Sequence, residues 1–106
     1  MATQRNRLSK KEKNEAFYRA ILLLRDEREC YSFFRDVCTL TELRSMEQRF
    51  EVARMLSEGM VYSEILERTG ASSATISRVA RSLNDSAGGY DLVFSRLAED
   101  QHDGEL

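Results

Sequence analysis

The sequence predicts an all-α domain of six helices that carries a helix-turn-helix. Three observations predict it. Apolar residues recur at spacings of three and four, and the alternation of a β-strand is absent. A Ser, Asp or Thr is followed three residues later by Glu at Ser9/Glu12, Asp26/Glu29 and Thr39/Glu42, each pair ahead of an apolar stretch. A glycine turn, Thr69-Gly70-Ala71, separates two short helical segments. At 106 residues the chain is one small domain, too short for two independent cores.

Each element follows in order. Residues 1–13 form a basic arm, and the Ser9/Glu12 pair opens a first helix whose apolar face is Phe17, Ala20, Ile21 and Leu24. Asp26 opens a second, faced by Cys30, Phe33, Phe34, Val37 and Cys38. Thr39 opens the longest helix, down which Leu43, Met46, Phe50, Ala53 and Leu56 run until Gly59 stops it. Residues 14–59 are thus candidate dimerisation helices, and residues 60–84 hold the helix-turn-helix. There Ser63 to Arg68 is the first helix, and Ser72 caps a second that runs to about Leu83. Asn84 to Gly89 is a flexible break. A last helix over residues 90–98 shows Tyr90, Val93, Phe94 and Leu97, and residues 99–106 are an acidic tail expected to be poorly ordered.

Composition excludes several chemistries. The single His, His102, lies in the polar tail, so a His-centred triad or a multi-histidine metal site has no basis. Cys30 and Cys38 are eight residues apart on one expected helix, roughly 12 Å, too far for a disulfide within the chain. No nucleophile-base pair, phosphate loop or metal cluster appears, so neither an enzyme nor a cofactor is indicated. No apolar run reaches membrane-helix length, and MATQRNRLSKKEK lacks the apolar middle of a signal peptide; a cytoplasmic location is expected.

The net charge of −2 hides a gradient. Residues 1–28 carry +4, residues 29–60 carry −2, residues 61–84 carry +1 and residues 85–106 carry −5. The arm's Arg5, Arg7, Lys10, Lys11 and Lys13 suit a phosphate backbone, or are simply solvated. Aromatic load raises a second question. Phe17, Tyr18, Tyr31, Phe33 and Phe34 are many to hide in a chain that buries only about two thirds of its unfolded surface. An ordinary monomeric core is one answer; the favoured one has the first two helices crossing onto a second chain.

The strongest local signal lies between Tyr62 and Arg81. Gly70 sits where the chain turns with positive φ, and Ile65, Ala71, Ile76 and Val79 are placed to pack the two helices together. At about 100° per residue, Ile76, Val79 and Leu83 share one side, so Ala74, Ser77, Arg78 and Arg81 project the opposite way. That face suits a DNA major groove. Ala74 allows close approach and can touch a thymine methyl, Thr75 and Ser77 can bond base edges or phosphates, and arginine is the commonest reader of guanine. Ser63, Ser72, Ser73 and the helix N-terminus offer hydroxyls and N–H groups to phosphates. The bland alternative is a helical hairpin with a solvated Ser/Arg face. Two such heads on a dimer would reach successive grooves roughly 34 Å apart.

From Cys38 to Leu83 the chain resembles the tryptophan repressor superfamily, most specifically in TGASSATISR, and ASSATISRVARSLN followed by GGYDLVFSRL resembles its YerC/YecD-like branch. The resemblance spans about residues 15 to 97. It implies an all-helical, intertwined homodimer in which the outer helices of both chains build one core and the helix-turn-helix pairs bind a palindromic operator. Tryptophan-binding members hold the indole between two arginines, with a threonine at the ligand's polar end; those positions fall on Arg49, Arg78 and Thr39. Val79 stands where the binders have glycine, and the loop after the long helix is about one residue shorter. Both departures speak against tryptophan as corepressor and leave the identity of any small-molecule effector open. Arg49 also reads as solvating the face of Glu47 and Glu51, and Arg78 as a phosphate contact.

The expectation is a homodimeric regulator that binds double-stranded DNA in sequence-specific fashion, in the sense of a repressor. The alternative is a helical protein-protein interaction module, docking through the Phe33/Phe34 region or the acidic tail.

Overall fold

The computed structural model describes residues 12–85 and 87–104, and every regular element within them is helical. The helices are α1 (Glu15–Leu22), α2 (Glu27–Val37), α3 (Leu40–Ser57), α4 (Tyr62–Thr69), α5 (Ser73–Asp85) and α6 (Gly89–Gly104). The fold class is the expected one. None of the described helices is long and apolar enough to cross a membrane. Packing divides the chain into two units, Met1–Thr39 and Leu40–Leu106, so the boundary falls within the stretch expected to form the dimerisation helices.

In the first unit, α1 opens on Asn14, whose side chain accepts from the Phe17 N–H at 3.2 Å. Glu12 precedes the helix, and Ser9, its expected capping partner, lies outside the described residues, as do Arg5, Arg7, Lys10 and Lys11 of the arm. The second box forms as expected. Asp26 accepts from the Glu29 N–H at 2.8 Å, and the Glu29 carboxylate accepts from the Arg25 N–H at 2.8 Å, so two otherwise orphaned donors are satisfied. Phe17 lies 6.0 Å from Phe33, which meets Phe34 edge-on at 5.5 Å. Phe17, Ile21, Leu24, Phe33, Phe34 and Cys38 are half-buried, while Ala20, Cys30 and Val37 of the expected faces are exposed. No residue from 12 to 39 is fully buried. Both thiols are free.

The second unit owns a core. Val52, Ala53 and Met55 of α3, Ile65 of α4, Ala71 of the turn, and Ile76 and Val79 of α5 form one buried cluster, with Leu56, Met60, Leu83, Tyr90 and Phe94 packed around it. The full burial of Val52, Ile65 and Ile76 contributes about 1.5–3 kcal/mol each. The expected stripe on α3 is partly displaced. Leu43 and Ala53 are buried, but Val52 and Met55 replace Met46 and Phe50, which stay exposed. Apolar residues lie on more than one side of α3, and the side that meets the hairpin is the one that closes. Phe50 instead meets Phe94 of α6 at 5.5 Å, and Phe94 stacks on Tyr90 at 5.8 Å.

The connections are short and chemically specified. Past α3, the Gly59 N–H bonds the Leu56 carbonyl and the Met60 N–H bonds the Met55 carbonyl, the paired closure that a left-handed Gly59 (φ 85°) allows. Helix α4 starts at Tyr62 and not at Ser63, because the Val61 carbonyl accepts from the Ile65 N–H; Ser63 lies inside the first turn and caps nothing. Helix α5 runs to Asp85, which narrows the expected Asn84 to Gly89 break. Helix α6 is longer than expected at both ends. Glu99, Asp100 and Gln101, read from sequence as an unstructured tail, continue it, with no glycine or proline to interrupt before Gly104.

Gly70 closes α4 at φ 72°, ψ 6°. A Cβ there meets no atom within 4 Å, so any penalty for a side chain comes from the backbone alone. Gly70→Ala is expected to lose about 1–2 kcal/mol in urea unfolding, and Gly70→Asn distinctly less, because asparagine tolerates the left-handed region. Equal losses for the two would contradict a conformational origin.

Candidate nucleic-acid interface

Helix α5 starts from a cap built by its own hydroxyls. Ser72 Oγ accepts from the Thr75 N–H at 3.1 Å and donates to Thr75 Oγ1 at 3.1 Å, while the Ser72 carbonyl accepts from the Ile76 N–H at 3.0 Å. Before it, Thr69 organises the turn. Its hydroxyl donates to the Ile65 carbonyl at 2.7 Å and accepts from the Ala71 N–H at 3.1 Å. Gly70 N–H bonds the Leu66 carbonyl at 2.9 Å. From α3, Gln48 Nε2 donates to the Thr69 carbonyl at 3.1 Å, so the turn is held to the long helix as well as within itself.

Ile76 and Val79 are buried at 0% and 2% exposure, which fixes the inward side of α5. Ala74, Ser77, Arg78 and Arg81 then share the outward side, and all four are exposed. Ser63, Ser72 and Ser73 are exposed too. Thr75 is half-buried and tied into the cap. Among the described side chains neither Arg78 nor Arg81 has a carboxylate partner. The outward face is therefore cationic, hydroxyl-rich and free of large apolar groups.

The three positions aligned with an effector site are placed differently. Thr39 is exposed at the end of the first unit. Arg49 of α3 is half-buried and donates to Ser45 Oγ at 3.4 Å, and Arg78 stands on the outward face of α5. Val79 packs in the core, as its reading as an interhelix residue requires.

A profile of known proteins described as Trp repressor protein matches residues 12–98. The chain belongs to the Trp repressor protein family. It is 49% identical over 96 residues to the uncharacterized protein YerC of Bacillus subtilis (strain 168), covering 91% of each chain. Among solved structures, it is similar to a TrpR-like protein from Eubacterium eligens ATCC 27750, with 58% identity and a TM-score of 0.77 over 79% of this chain and 87% of that one. A Staphylococcus aureus structure matches with 43% identity and a TM-score of 0.76, over 79% and 84%.

Sequence reasoning missed Gln48 and the ion cluster of α3. The Gln48 bond spans 21 residues, and no local pattern announces it. Glu47 and Glu51, read together as a solvated face, separate: Glu47 pairs with Arg44 at 2.7 Å, whereas Glu51 and Glu58 both hold Arg54. The spacings of three and four residues were the available signal. Hydrogen bonding from Arg54 outweighs desolvation and holds the Glu51 carboxyl below its ordinary value of 4.5. A lowered carboxylate pKa stabilises the fold above the unfolded value, and that stabilisation disappears as pH falls through the folded one. Glu51→Gln is thus expected to lose less stability than the parent as pH falls through and below the ordinary carboxylate range in urea titrations. The difference is small, because both partners are well exposed to solvent.

Proposed function

We propose that this protein is a cytoplasmic, homodimeric regulator that binds a palindromic DNA site through α4 and α5 and acts as a repressor. The observation that carries this reading is the exposed Ala74, Ser77, Arg78 and Arg81 face, held out by the buried Ile76 and Val79 on its opposite side. Arg78 and Arg81 have the donors to read guanine edges or grip phosphates, Ser77 and Thr75 the hydroxyls for either, and Ala74 the small size for close approach. Ser72, Ser73 and Ser63 stand at or near helix starts, where N–H groups favour phosphate.

Dimerisation is supported from two sides. Family membership is one. The other is the first unit, in which Leu22 and Leu23 are 82% and 78% exposed and none of the described residues is fully buried; a second copy would cover that surface. Two reading heads then engage successive grooves roughly 34 Å apart, and their linkage multiplies affinity. Tryptophan is not the effector in this reading, because Val79 supplies side-chain volume where tryptophan-binding members have glycine, and that volume belongs to the core.

Selection from a random duplex library, with and without tryptophan, tests the proposal. A palindromic preference is expected, unchanged by tryptophan, from a species of twice 12.2 kDa in sedimentation. Arg78→Ala and Arg81→Ala each weaken binding to the selected duplex by about 5- to 100-fold with the helical spectrum intact. An arginine that reads a base relaxes preference at that position, and one that holds phosphate reduces the salt slope by about one. Full binding by both variants would mean that α5 is not the reading helix.

A further inference from the structure

One carbonyl of the turn between α4 and α5, that of Thr69, is met from outside the hairpin. Gly70 turns the chain left-handed, its N–H returns to Leu66, and the Ala71 N–H goes to the Thr69 hydroxyl and not to the Thr69 carbonyl. Gln48, half-buried on α3, supplies a donor at 3.1 Å. Beside this bond, Val52, Ala53 and Met55 of α3 meet Ile65, Ala71, Ile76 and Val79 in one buried apolar cluster. Apolar packing sets how closely the pieces approach and says little about direction, whereas a hydrogen bond is directional.

We infer that Gln48 is a positioning residue for the DNA-reading face: its bond to the Thr69 carbonyl fixes the orientation in which α5 is presented. The inference rests on the DNA-binding reading of α5. A helix is about 10 Å across, so a tilt of about 10° at its buried side moves the outward side chains by on the order of 2 Å. A shift of that size breaks hydrogen bonds to base edges while leaving general attraction to phosphate largely intact. Loss of the strut therefore appears in selectivity more than in overall affinity.

The test compares the parent with Gln48→Met and Gln48→Glu, which remove the donor at nearly constant length, with Gln48→Lys, which keeps a donor, and with Ser57→Ala. Ser57 also bonds a backbone carbonyl, that of Arg54, at 2.7 Å on the same helix. Two quantities are read: the preference for the library-selected duplex over a scrambled one, and amide hydrogen exchange at Gly70 and Ala71 relative to α3. Gln48→Met and Gln48→Glu are expected to lose about fivefold in preference and to exchange faster at the turn. Gln48→Lys restores the preference, and Ser57→Ala leaves both readouts at parental values. Parental exchange in Gln48→Met, or faster exchange with unchanged preference, overturns the inference. A parent that exchanges as expected yet prefers no duplex overturns the DNA-binding reading instead, with the exchange comparison still deciding whether Gln48 holds the turn.

Discussion

Everything the second unit presents outward depends on what it buries where the α4–α5 hairpin meets α3. Ile65, Ala71, Ile76 and Val79 close against Val52, Ala53 and Met55, and with one side of α5 so committed the opposite side is determined by helical geometry. The polar face needs no contacts of its own to be held in place. Its placement is inherited from the apolar side together with the Gln48 bond that holds the turn, and its chemistry is left free for a ligand.

The two units manage their apolar residues in opposite ways. In the second, a small cluster reaches near-complete burial within a single chain. In the first, Phe17, Phe33 and Phe34 touch one another but none is removed from water, and Tyr18, Tyr31 and Val37 remain about half exposed. Edge-on aromatic pairs add only about 0.5–1.5 kcal/mol beyond burial, too little to offset the ordering of two helices. Exposed apolar side chains remain on α1 and α2 in the first unit, and on α3, α4 and α6 in the second.

Much of the fold was legible because local chemistry and tertiary need agree. Asp26/Glu29, Ser72, Gly59 and Gly70 each announce a helix boundary, and each does the expected work in the structure. The inward and outward sides of α5 follow from a 100° step, since its apolar residues occupy one side only. Legibility failed where that condition failed. Helix α3 has apolar residues on several sides, so spacing could not tell Val52 and Met55 from Met46 and Phe50. Acidic composition was read as disorder at Glu99 to Gln101, although those residues form helix readily when a helix already precedes them. Gln48 was invisible because its partner is a backbone carbonyl set by a turn far along the chain.

Val79 carries a disproportionate share of the architecture. Its methyl groups fill space between the helices of the second unit. Emptying that position would take a stone out of the arch beneath the exposed side of α5. Sturdiness here is lodged in a few cubic ångströms of buried valine, out of reach of anything the outer surface meets.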